Sequence, residues 1–330
     1  MKPGAVQTIG SELEAGFCDS QGRFVDTQAV LGERKETGRP FECVTSDMAR
    51  SSIEFVTGIC TSGAEVTDTL TKLIKLVPDG YRPVFETRPF GDGPVELARK
   101  SRAEAMIQAL MREHPEGARG VKTVAPRYST QFHIGMPDVL TDSCVRFLDL
   151  LNNISPYARL QIVKRYHSVG TEGHLKIWHG WADESRLPAP RSFGTTQELH
   201  LFLASVPKLL VRINQKWRLA PPGTYSSLED QESMGTIWWL ARPRFYGSAT
   251  GPTIEWRPFP SMPAADAGEV AGEVLLLAKL YRDYISAHPV SSTKASSDEV
   301  RALYAALAER TYLVPSAPLS DAEWWKLFAV

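Results

Sequence analysis

Glu12 and Glu14 stand two residues apart inside Ile9-Gly10-Ser11-Glu12-Leu13-Glu14-Ala15-Gly16, a stretch otherwise suited to a strand. Residues i and i+2 of a strand share a face, so both carboxylates project to the same side. Like charges this close repel unless water solvates them or a cation bridges them. For this pair by itself, a wet sheet face is the simpler reading. Two more acids shift the weighting toward a cation. Glu54 interrupts Ile53-Glu54-Phe55-Val56, and Glu255 interrupts Thr253-Ile254-Glu255-Trp256-Arg257. Buried carboxylates are rare unless paired or bound to metal. Oxygen ligands from several strands suit Mg²⁺, whose octahedron phosphate oxygens and water complete. Glu255 and Arg257 form another i, i+2 pair. They read either as a salt bridge or as an acid for metal beside a guanidinium for phosphate.

The elements that must position these residues follow from periodicity and punctuation. Strands are expected at 6–18, 51–60, 81–90, 128–136, 236–246 and 253–259. Ser62 with Glu65 forms a Ser-x-x-Glu helix start, running through Leu73 and Leu76. Further helices are expected at 95–114, 138–152, 197–215 and 297–311. Another carries Val270, Val274, Leu277, Tyr281 and Tyr284 at helical spacing. An aromatic tail, WWKLFAV, closes the chain. No Gly-rich turn of Rossmann or P-loop form follows a strand, and βαβ regularity is missing. The pattern predicts an α+β layer fold, an antiparallel sheet with helices packed on one face, in one domain over residues 1–330.

Composition narrows the function classes. The 330 residues carry 37 Lys+Arg against 38 Asp+Glu, a net charge of -1, which argues against a nucleic-acid or polybasic membrane binder. No apolar run reaches the roughly 18 residues of a membrane span, and MKPGAVQTIG lacks the apolar core of a secretory signal. Cys18, Cys43, Cys60 and Cys144 form no CxxC pair, so a cytoplasmic protein is expected.

Other chemistry-bearing residues carry weaker signals. His167, His174 and His179 lack the spacing of a zinc site, and a structural or substrate-contacting role is the better reading. Lys164–Arg165 reads equally as a phosphate contact or a solvated surface. Cys60 has no local base and reads as a small buried hydrophobe. Trp238–Trp239 and Trp324–Trp325 read as core or interface anchors. Ser129, Ser155 and Ser168 lack a nucleophile elbow.

Taken in order, several segments resemble the carboxylate–amine ligase family related to glutamate–cysteine ligase, within the glutamine-synthetase-like superfamily. IGSELEAG matches the family's Gly-x-Glu-x-Glu strand, and Asp47 with Glu54 its second acidic segment. ETRPF, TQFHIGMPD, NNISPYARL and RPRFYGSATGPTIEWRP follow in the family's order, spanning Ile9 to about Met262. The resemblance implies a curved antiparallel sheet forming a funnel with helices outside. It implies ATP-driven condensation of a carboxylate with an amine through an acyl phosphate. By motif position, Glu12, Glu14, Asp47, Glu54 and Glu255 would hold two or three Mg²⁺ ions, with Mn²⁺ able to substitute. Arg242 and Arg257 would be catalytic, neutralising the transferring phosphoryl group, and with Gln131 and His133 would bind the nucleotide. The implied partners are small carboxylate and amine substrates and a second copy of the chain. On this reading Glu255→Gln abolishes turnover and leaves the fold intact.

The sequence also departs from the family pattern. Gln131 replaces the first His of a His-x-His strand, and Glu86 and Arg88 replace Gly and His. ARLQIVKRYHS replaces the loop after Ser155-Pro156-Tyr157. The departures keep two alternatives open: a Mg-nucleotide-binding or regulatory protein that lost catalysis, and a phosphotransferase that stops after moving the γ-phosphoryl group.

Overall fold

The computed structural model describes residues 7–23, 25–26, 30, 44–46, 52–85, 105–106, 108–110, 112, 128–136, 141–166, 183–214, 216–230, 234–244, 251–288 and 296–329. Its strands are β1 (Ile9–Cys18), β2 (Val44–Ser46), β3 (Ser52–Val56), β4 (Arg82–Val84), β5 (Ser129–Gly135), β6 (Leu210–Ile213), β7 (Lys216–Leu219), β8 (Ala241–Arg244) and β9 (Thr253–Pro260). Its helices are α1 (Gly63–Ile74), α2 (Asp142–Tyr166), α3 (Thr196–Leu203), α4 (Ala264–Ala287), α5 (Ser297–Ala308) and α6 (Asp321–Phe328).

Seven strands form one open antiparallel sheet in the order β2-β3-β1-β5-β9-β8, with β4 also pairing β1. Strand alternation gives the sheet two different faces. Leu13, Ala15, Phe17, Ile53, Phe55, Phe132, Ile134, Ile254 and Trp256 are buried on one side, within the main core. Against this side pack α1, α2 and α4. Between the pairs Thr130↔Phe259 and Phe132↔Trp256, β9 holds one residue more than β5. This bulge returns Phe259 to the apolar side, where it meets Phe132 edge-on at 5.4 Å. Where α1 crosses α4, a Cβ on Gly63 would collide with the carbonyl oxygen of Gly268, so only glycine permits the approach.

Helix α2 runs 25 residues and contains Pro156. Proline cannot donate to the carbonyl four residues back, which here is Asn152. The indole N–H of Trp324 on α6 donates to that carbonyl oxygen instead, at 3.1 Å. The side chain of Asn152 grips edge strand β8, accepting from Ala241 N–H and donating to Ala241 O, both at 2.9 Å. Ser155 accepts from Trp256 Nε1 at 2.8 Å. The Ser-Pro-Tyr segment therefore ties α2 to β9, while its neighbour Asn152 ties the helix to β8 and α6. Residues after Tyr157, expected as a rewritten loop, continue the helix to Tyr166.

Two other expectations are corrected. The helix expected at 197–215 ends at Leu203, and Leu210–Ile213 pairs with Lys216–Leu219 as the β6–β7 hairpin, with Asn214 at φ 48° after β6. The aromatic tail is helical, with Ser320 and Glu323 forming a reciprocal N-terminal cap. Among the described residues, no helix is long and apolar enough to cross a membrane.

Candidate functional site

The second face of the sheet gathers the chemistry-bearing residues. Glu14 on β1 lies opposite Glu54 on β3, and Glu12 lies opposite Gln131 on β5. His133 on β5 lies opposite Glu255 on β9, which lies opposite Arg242 on β8. Antiparallel register thus carries a polar row across five strands whose other face is core. Asp47, Glu86, Arg88, His167, His174 and His179 lie outside the described residues.

The row divides into an acidic and a basic half. In the acidic half, Glu14 is 7% exposed and held by uncharged donors. Its Oε2 accepts from Ser129 N–H at 2.8 Å and Ser129 Oγ at 2.9 Å, and its Oε1 accepts from Gln131 Nε2 at 2.6 Å. Gln131 is thus a clamp on Glu14. Glu12 Oε1 sits 2.9 Å from His133 Nε2. Burial penalises the Glu12 carboxylate, yet the His133 imidazolium outweighs that penalty and holds its pKa down at about 2. Burial likewise opposes the imidazolium, and Glu12, assisted by Glu255, raises the His133 pKa regardless.

In the basic half, Glu255 is 1% exposed. Arg242 grips it with two prongs, Nε at 2.9 Å and a terminal nitrogen at 2.7 Å. Arg257 approaches to 3.5 Å and Arg244 to 3.8 Å. Burial would push the Glu255 carboxyl up, but Arg242, Arg257, His133 and Arg244 hold it well below the usual carboxylate range. The remaining nitrogen of Arg242 donates to the carbonyls of Met234 at 3.2 Å and Ile237 at 3.0 Å. Arg242 is therefore fully engaged inside the protein. Glu255→Gln would remove a counter-charge shared by three guanidiniums.

Where the halves meet, a cavity of about 140 Å³ opens beside Gly10, Glu12, Gly58, His133, Arg244 and Thr253. A Cβ on Gly10 would come within 2.9 Å of the Gly58 carbonyl oxygen, so glycine lets the two segments close this wall. Sequence reasoning missed Arg244, although its i, i+2 spacing from Arg242 places both on one face. It also missed Ser129 as a partner of Glu14, because that contact depends on the β1–β5 register.

No family model matches the sequence, and no characterised protein matches at sequence level. In structure, the chain is similar to a bifunctional glutathione synthetase from Pasteurella multocida, with TM-score 0.43 and 15% identity over 98% of this chain and 47% of that one. It is also similar to a glutamate–cysteine ligase from Francisella tularensis in complex with AMP, with TM-score 0.49 and 10% identity over 98% and 76% of the two chains. The chain spans about half the length of the first of these.

The donor set can be tested against Mg²⁺ directly. Among the described residues, no three His, Cys, Asp or Glu side chains form a ready metal cage. Mg²⁺ does not require one, because it binds through one or two carboxylates plus substrate phosphates and water. Glu12, Glu14 and Glu54, all oxygen donors on neighbouring strands, fit that chemistry. Glu255 fits it less well, being committed to arginine. Among the described residues, Cys18, Cys60 and Cys144 are buried, and burial pushes the Cys60 thiol up.

Proposed function

We propose that the chain is an ATP- and Mg²⁺-dependent carboxylate–amine ligase, with an amino acid among its substrates and residues 1–330 forming one ligase domain around a curved sheet. The observation that carries this reading is the polar row itself, carboxylates at one end and clustered guanidiniums at the other, on strands whose opposite face is core. Phosphoryl transfer needs chiefly positioning and charge neutralisation, and these two halves provide both signs.

In this reading Glu12, Glu14 and Glu54 hold Mg²⁺, which when bound neutralises phosphate charge. Arg257 and Arg244 face the phosphoryl group in transfer. Arg242 acts through Glu255, which its two prongs fix in place and which in turn aims the other two guanidiniums. The substrate carboxylate oxygen bonds to the γ-phosphorus as the bond to ADP breaks. The amine nitrogen then bonds to the acyl carbon as phosphate departs, and the amine's proton passes to solvent. Between these steps the acyl phosphate must be kept from water.

The test is turnover of purified protein with Mg·ATP and pooled amino acids, following ADP and new masses together. ADP plus a product lighter by one water than its two substrates is expected. Glu54→Gln, a half-buried position, is expected to lower that rate about 100-fold or more with the fold retained. Wild-type rates in this variant would overturn the metal assignment. A second reading, a Mg-nucleotide-binding protein without turnover, is favoured by the engagement of Glu12, Glu14 and Glu255 with protein partners. Metal-dependent ATP binding without ADP would select it, and ADP with only a phosphorylated product would select a phosphotransferase.

A further inference from the structure

Behind the sheet, on its helical side, a cleft of about 630 Å³ opens among α2, α4, α5 and the segment leading into α6. A space of this size takes a metabolite-sized molecule. Asp149 of α2 lines it and is 6% exposed. The two oxygens of its carboxylate are unequally served. Oδ2 accepts from the backbone N–H groups of Phe193 at 2.9 Å and Gly194 at 2.7 Å. Oδ1 is buried and accepts no hydrogen bond among the described residues. An acceptor withdrawn from water with no donor is uncommon and asks for a partner.

The surroundings narrow the partner's chemistry. Five charged side chains besides Asp149 can bear on the cleft charge if His288 is counted with Arg146, Arg301, Glu299 and Glu323. Three carboxyl groups, of Asp149, Glu299 and Glu323, face two guanidiniums. Glu299 and Glu323 are fixed as helix caps, accepting from Ser296 N–H at 2.7 Å and Ser320 N–H at 2.8 Å. Arg146 donates through Nε to the Gly194 carbonyl at 3.2 Å. The rest of the lining is largely apolar or aromatic and includes Tyr284, Ile285, Leu303 and Tyr304. Aromatic faces beside a buried carboxyl group, which an incoming ammonium would hold in its ionised form, suit an organic ammonium better than a hydrated inorganic ion.

We propose that this cleft is a second ligand site, separate from the polar row, that takes a small molecule bearing a primary ammonium on an apolar or aromatic body, with Oδ1 of Asp149 as its acceptor. The site needs neither ATP nor metal, so its fate is independent of the ligase reading.

Phenethylamine serves as the probe, with phenethyl alcohol and hydrocinnamate as neutral and anionic controls of matched shape. Binding to the full chain is followed by calorimetry and by the amide resonances of Phe193 and Gly194. Phenethylamine is expected to bind and shift both amides, and neither control to do so. Asp149→Asn keeps an oxygen for the two backbone donors but turns the Oδ1 position into a donor. It is expected to weaken phenethylamine about tenfold or more. Leu303→Trp, at a half-buried position on α5, fills the cleft and should abolish binding even if the Asp149 variant fails to fold. Absence of phenethylamine binding, equal binding of either control, or wild-type affinity in either folded variant would overturn the proposal.

Discussion

Glu255 on β9 and Asp149 on α2 lie on opposite sides of the sheet, both withdrawn from water. Burial acts on them alike, penalising the ionised form. Their partners make the outcomes opposite. Around Glu255 stand Arg242, Arg257, His133 and Arg244, which together override burial and keep the carboxylate charged. Asp149 has two amide hydrogens, the like charge of Glu198 nearby and a minor contribution from Arg146, and burial takes it up to about 7. The same side-chain chemistry thus becomes a fixed charge in one region and an unsatisfied acceptor in the other. Glu14 is an intermediate case, also buried, with hydrogen bonds from the uncharged Ser129 and Gln131 and the charge of Arg257 bearing on it.

The contrast can be broken most severely at Glu255. Glu255→Gln leaves a buried guanidinium cluster without its counter-charge and should cost about 3–5 kcal/mol in denaturant unfolding. A loss below about 1 kcal/mol would mean that the arginines do not depend on it. At Glu14 the effect should be smaller, because Ser129→Ala removes one neutral donor and keeps the backbone N–H. A cost of about 1 kcal/mol is expected, read as a shift in the urea midpoint.

The smallest change at acid pH should come at Asp149, and it sharpens the comparison through pH. Between the ordinary value of 3.8 and about 7, the folded chain keeps a proton on Asp149 that the unfolded chain has released. Raising pH through that window therefore weakens folding, and the slope from this group ends above about 7, where both states are ionised. Asp149→Asn should remove that part of the slope in unfolding curves taken across the window, with a change within about 1 kcal/mol at its acid end. An unchanged slope would mean that Asp149 stays ionised throughout.

The strands that carry these acids were legible because charged residues interrupt apolar alternation at Glu12, Glu14, Glu54 and Glu255. Their neighbours across the sheet were not, because β1 pairs β5 and β5 pairs β9 over long sequence separations that no local signal encodes. Arg242 was named by motif position alone, and its pairing with Glu255 across the β8–β9 register was not legible. Misreadings of helices had different causes. Apolar residues through 197–215 fit helical spacing, and Pro207 with Asn214 marked the break that made a hairpin instead. The helix expected at 138–152 runs on through Pro156 to Tyr166, and the donor that replaces the hydrogen bond proline removes lies far away on Trp324.

That substitute donor also sets an order of events during synthesis. Trp324 is made 172 residues after the carbonyl it serves on Asn152. At about 5–20 residues per second, α2 waits roughly ten to thirty seconds on the ribosome with that carbonyl unserved. The same residue's side chain can already hold β8 in that interval. The seam between sheet edge and helix is thus assembled early and locked late, and a nascent chain stalled before residue 324 would be complete in its polar face yet unfastened behind it.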